Sequence, residues 1–150
     1  MLEIKKGFVA DYIAYASAQT DAPVLFHVAG ALGLLSTLCD KVGIKAGYHS
    51  LRANIWILLL ASTSFLRKST SLGIAKDILW RVNPQLFYPN EFSREKILKS
   101  IRDRHGLFLW SEFGGILSLM RREYMGGGKD MLAEMYDCDP PYVRELQTER

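Results

Sequence analysis

The apolar positions of this chain change period several times, and each change marks an element. Phe8, Tyr12, Ile13 and Ala16 recur at helical spacing, which predicts a helix over 8–18. Asp21 and Pro23 mark the next start, a capping side chain followed by a proline in the first turn. From there Val24, Val28, Leu32, Leu35 and Cys39 form a stripe on one face. Ala29, Gly30, Ala31 and Gly33 keep this second helix thin, which suits close packing against a sheet. It is expected to end between Asp40 and Gly43.

The period then shortens. Gly43 to Tyr48 reads as a short strand and His49 to Asn54 as a loop. Ile55 to Leu60 is a run of six apolar residues, the length of a strand. Continuous apolarity predicts burial on both faces, the habit of a central parallel strand. Ser62 to Ser64 is polar, and a helix starts near Lys68, with Leu72, Ala75, Leu79 and Val82 inward and Lys76, Asp77 and Arg81 outward. Asn83-Pro84 stops it.

Leu86 to Tyr88 reads as another short strand. Ser93 caps the following helix, and Phe92 and Ile97 have the spacing of a hydrophobic staple. In that helix Ile97, Leu98 and Ile101 face the core, Lys96, Lys99, Arg102 and Arg104 do not, and Gly106 is the stop. Leu107 to Trp110 reads as a second buried strand ending in Ser111-Glu112. Helices are expected around Ile116 to Arg122 and Met131 to Tyr136, joined through Gly126-Gly127-Gly128. The alternation of strands and helices predicts an α/β fold with a parallel sheet. An N-terminal helical segment, 1–42, precedes the core, 43–150.

Composition narrows this only a little. Hydrophobic residues at 49% and charged residues at 23% exclude a disordered chain. A net charge of +3, from 19 basic and 16 acidic residues, permits contact with nucleic acid without arguing for it. Cys39 and Cys138 lack metal-binding spacing and read as free thiols in a reducing cytoplasm. His27, His49 and His105 stand far apart and read as solitary residues. The most apolar run, Val24 to Cys39, is interrupted by His27 and falls short of the ~18 to 20 residues that a membrane span needs. With no signal peptide visible, the expectation is a soluble cytoplasmic protein without membrane contact.

The candidate chemistry lies where the apolar run meets the helix at Lys68. A phosphate-binding loop has the form G-x-x-x-x-G-K-[ST]: backbone amides converge on phosphate oxygens, the lysine neutralises charge and the hydroxyl ligates magnesium. Aligned on Lys68-Ser69, Ser62 stands at the first glycine and Arg67 at the second. The pattern fails at both, while its setting, an apolar run before and an amphipathic helix after, is kept. The plainer reading is a basic turn whose serines and threonines cap a helix. A second motif tips the balance. Leu107 to Glu112 ends in an acid about forty residues on, where phosphate-loop ATPases hold the carboxylate that binds magnesium or polarises water. Ser111 replaces the usual aspartate and leaves only a hydroxyl to meet a magnesium-bound water. Glu112 as a simple helix-capping acid is the alternative.

Taken together, PVLFHVAGALGLLSTLCDKVGI, ANIWILLLA, the S-x-x-x-K-S of Ser64 to Ser69 and Ser111-Glu112-Phe113-Gly114-Gly115 resemble an uncharacterised family of P-loop proteins. That family occurs in phage and plasmid replication modules beside primase or helicase domains. The resemblance implies a RecA-like P-loop NTPase core binding ATP and Mg2+. Ser64, Arg67, Lys68, Ser69 and Thr70 would face the nucleotide. Ser69, Glu112 and, through water, Ser111 would hold the metal, and Glu112 would be the catalytic group. It further implies a part in DNA replication, DNA as a partner, and a homo-oligomer in the full-length protein. Nothing after Arg122 reads as a buried sensor strand, so the core is expected to be incomplete at the C-terminus, within a longer protein. Against this stand a non-catalytic α/β interaction domain with degenerate motifs and, more remotely, a helix-turn-helix DNA binder.

Overall fold

The computed structural model describes residues 6–39, 42–47, 49–62, 66–122 and 125–137. The helical expectations hold closely. α1 is Phe8–Ser17, α2 is Val24–Leu38, α3 is Lys68–Val82, α4 is Arg94–Asp103, α5 is Phe113–Met120 and α6 is Gly128–Asp137. A 3-10 turn, Pro84–Leu86, follows α3, with the Asn83 side chain accepting from the Gln85 N–H. Ser93 caps α4 by accepting from the Lys96 N–H at 3.4 Å. Phe92 and Ile97 are buried in one cluster, the contact expected of a staple.

The fold class does not hold. The described residues are mostly helical and contain one two-stranded antiparallel sheet, not the parallel sheet of a RecA-like P-loop fold. Its strands are β1, Gly43–Ala46, and β2, His49–Arg52, paired Gly43 to Arg52 through Ala46 to His49. The stretch read as a loop is therefore the second arm of a hairpin, with Gly47 supplying the left-handed turn at φ 64°. Ile55 to Leu60 is neither a strand nor buried. Among the described residues it makes no backbone-to-backbone hydrogen bond, and Ile55, Trp56, Ile57, Leu58 and Leu60 are 41–77% exposed. Of the other two expected strands only one parallel bridge forms, Phe87 with Leu107.

The reason lies in what the helices pack against. Parallel strands are stable when helices cover both faces. Here α1, α2 and α3 instead cover one another, burying Tyr12, Ala16, Ala31, Leu34, Ile74, Ala75 and Leu79 together with Leu86. The thin face of α2, expected on a sheet, meets helices. A Cβ at Gly30 would lie 2.7 Å from Tyr12 Oη and 3.4 Å from Ala75 Cβ. A second core gathers Tyr88, Phe92, Ile97, Met125 and Met131, with Leu98, Ile101, Phe108 and Trp110 against it. Several side chains also differ from expectation. Val82 is exposed and Leu72 only half-buried, because the inward stripe of α3 narrows to Ser71, Ile74, Ala75 and Leu79. Arg104, expected outward, is half-buried. Its Nη2 donates to the Phe87 carbonyl at 3.0 Å, and its guanidinium lies over the Tyr88 ring. Gly106 does not stop α4, which ends at Asp103.

Tyr12 reaches this core with its hydroxyl buried and unpartnered. Burial, with Tyr15 adding to it, pushes its phenol up to about 12. Removing a buried polar atom that has no partner relieves its desolvation cost. Tyr12→Phe is therefore expected to hold or raise stability, by up to about 1 kcal/mol, in urea denaturation at pH 7.

Candidate functional site

α2 and α3 run parallel. His27 meets Ser71 and, one turn on, Gly30 meets Ala75, a near-constant offset along both helices. Their N-termini therefore open at the same end of the molecule. Neither has a side-chain cap: the N-cap of α2 is Pro23 and that of α3 is Arg67. Asp21, expected as the cap of α2, is exposed and turned elsewhere. An uncapped helix start leaves its first amide N–H groups without intrahelical acceptors and holds about half a positive charge. Two such ends together make a positive site.

Arg67, Lys68, Ser69 and Thr70 line that end. Arg67 lies in the left-handed region at φ 47°, ψ 30°, among the described residues the one non-glycine with positive φ. That conformation costs a side-chain-bearing residue about 1–2 kcal/mol. It is the freedom that the phosphate-loop pattern takes from its second glycine, at this same position. The Arg67 carbonyl accepts the first helical bond, from the Ser71 N–H at 3.0 Å. Lys68 is half-buried, and Ser69 and Thr70 are exposed on the first turn. Arg67 Nε pairs with Asp21 Oδ1 at 3.3 Å, both side chains largely in solvent. Such a pair contributes little to stability. It does place an acid where an anion would otherwise sit.

Behind the first turn, Ser71 Oγ and His27 Nδ1 share a hydrogen bond of 3.1 Å, both side chains fully buried. His27 Nε2 is buried without a partner. Burial lowers the His27 pKa from its usual value. The Thr20 backbone acts in the other direction, and burial outweighs it. A lowered folded pKa means that the unfolded chain binds the extra proton first, so stability is full above the unfolded value near 6.5 and falls as the solution is acidified through it. Subtracting the stability profile of His27→Gln from that of the wild type, in denaturant titrations over pH 5–8, is expected to leave this loss below about pH 6.5.

The other expected site residues are exposed or lie outside the described residues. Ser64 lies outside the described residues. Ser62 is exposed on the approach to the loop. Ser111 and Glu112 stand exposed at the start of α5, where the Glu112 carbonyl accepts from the Gly115 N–H at 3.2 Å. Among the described residues, no hydrogen bond or ion pair joins Glu112 to Lys68 or Ser69.

Magnesium takes oxygen donors and keeps several of its waters. The hydroxyls of Ser69 and Ser111 and the carboxylate of Glu112 are donors of the right kind. The described residues hold no cluster of three or more His, Cys, Asp and Glu, so any cation here would depend on water and phosphate oxygens for most of its shell.

Comparison with family models, curated proteins and solved structures finds no match. The site therefore rests on its own geometry.

Asp21 and the His27–Ser71 pair were absent from the sequence-derived site. Asp21 read as a cap and His27 as solitary. The partners of both lie more than forty residues away in the chain.

Proposed function

We propose that the shared end of α2 and α3 binds the phosphates of a nucleotide, ATP with Mg2+, and that the chain serves as an ATP-dependent domain in replication of a mobile element. The observation that carries the phosphate reading is Arg67. It is held left-handed at the mouth of an uncapped helix whose first turn is Lys68-Ser69-Thr70. Backbone strain concentrates where function needs it. Free amides, a helix dipole, a lysine and two hydroxyls are the chemistry that recognises phosphate. Lys68 and Arg67 would neutralise charge, Ser69 and Glu112 would hold the cation, and Glu112 would polarise the attacking water. Hydrolysis, DNA contact and the replication role rest on the likeness of the sequence motifs alone. No helix among the described residues is long and apolar enough to cross a membrane.

The test is a titration with MgATP followed by phosphate release. Lys68→Ala is expected to weaken binding roughly 10- to 100-fold, the worth of a charged hydrogen bond. Glu112→Gln is expected to bind and not turn over. Arg67→Gly separates strain from charge: stability should rise by about 0.5–1 kcal/mol as the left-handed residue is relieved, while phosphate binding weakens. Equal nucleotide binding by all of these proteins would sink the reading. A second reading, a non-catalytic interaction domain, is favoured by the exposed apolar stretch Ile55 to Leu60. It expects no phosphate release from the wild type.

A further inference from the structure

Ile55 to Leu60 is the most anomalous surface of the molecule. Side chains of both parities are exposed, Ile55 and Ile57 on one and Trp56, Leu58 and Leu60 on the other. None of the six residues makes a backbone-to-backbone hydrogen bond among the described residues. The sequence between Arg52 and Arg67 contains no charge and no proline. Proteins that expose a strand-like edge normally blunt it with those residues. The segment is held in place at one end: Trp56 packs edge-on to Tyr136 of α6 at 5.3 Å, and Asn54 Nδ2 donates to the Tyr136 carbonyl.

A row of free N–H and C=O groups flanked by apolar side chains on both faces is matched by another polypeptide strand. A membrane surface would cover the side chains and leave the backbone groups unpaired, which is costly. We propose that the strand is a second copy of this chain, with Ile55 to Leu60 of two protomers pairing antiparallel about a two-fold axis. In a register centred on Leu58, Trp56 faces the partner copy's Leu60, Ile57 its Leu59 and Leu58 its own counterpart, so that opposed side chains share a face. Every cross-strand pair is apolar, and no like charges oppose one another. The area suffices. Five large side chains at these exposures present on the order of 500 Å² of apolar surface, near the upper limit of what a monomer ordinarily leaves uncovered. Two copies bring up to roughly 1,000 Å² to the contact, the lower bound for a specific interface. A two-fold contact also closes on itself, which open-ended pairing does not.

Sedimentation velocity over a hundredfold range of protein concentration tests this. The wild type is expected to move from monomer to dimer and stop there. Ile57→Pro removes a backbone donor that has no backbone partner among the described residues, so the monomer should keep its circular dichroism while dimerisation weakens at least tenfold. Leu58→Lys should do the same by placing a charge in the interface. Hydrogen exchange gives a readout on the unaltered chain: the amides of Ile55 to Leu60 should be protected at high concentration and exchange freely on dilution. A wild type that stays monomeric, a dimer that survives both substitutions, growth past the dimer, or amides of the segment that exchange freely in the dimer would overturn the proposal.

Discussion

Leu79→Ala is expected to lower the unfolding free energy by roughly 3–5 kcal/mol, the upper part of the range for a buried leucine. Leu79 is 0% exposed, in the core that α1, α2 and α3 share with Leu86. Its neighbours come from separate helices, so none can close the cavity by a local adjustment, and the cavity cost adds to the lost burial. Unlike those elements, the candidate phosphate site lies at the opposite end of α3, roughly 16 Å along the axis from Leu79. Urea denaturation should therefore show a large loss, while the folded variant keeps its nucleotide affinity under native conditions. A comparable loss of affinity in the folded protein would mean that the first turn of α3 is set by the whole core and not by its own anchors.

Gly106→Ala should cost about 2–4 kcal/mol, somewhat above ordinary overpacking because the obstacle is backbone. A methyl group there would sit 2.7 Å from the Leu86 carbonyl oxygen and 3.1 Å from the Tyr88 ring. That carbonyl accepts the Leu107 N–H at 2.7 Å, and the Leu107 carbonyl accepts the Tyr88 N–H at 3.0 Å. Pushing the two segments apart breaks the parallel bridge and loosens Arg104, which spans from Tyr88 to the Phe87 carbonyl. Leu86 belongs to the first core and Tyr88 to the second, so the damage reaches both. Thermal unfolding should show a fall in midpoint with no change in net charge. A midpoint within a degree of the wild type would show that the Leu86 segment yields without loss.

The helices were legible in the sequence because their signals are local. Periodicity placed α1 and α3 within a residue or two and the start of α2, which ends earlier than expected at Leu38, and Ser93 and Asn83-Pro84 set ends that the structure keeps. The candidate cluster was legible in the same way, since Arg67 to Thr70 are consecutive and follow one another around a single helix start. The parallel sheet was not. An apolar run such as Ile55 to Leu60 states that its side chains avoid water, but it does not name the backbone that will pair with it. The glycines on α2 likewise predict a close neighbour without saying whether it is a strand or a helix.

What the sequence determined by itself, then, was which stretches coil into helices and that Arg67 to Thr70, the candidate phosphate residues, stand at a helix start. Periodicity, caps and side-chain chemistry act over a few residues, and these follow from them. Only the tertiary structure decided that α2 and α3 lie parallel with two uncapped ends together, that Asp21 meets Arg67, and that His27 is buried on Ser71. Those facts join residues more than forty positions apart. Which distant partner a side chain meets is fixed by how whole helices pack, and no local pattern records it.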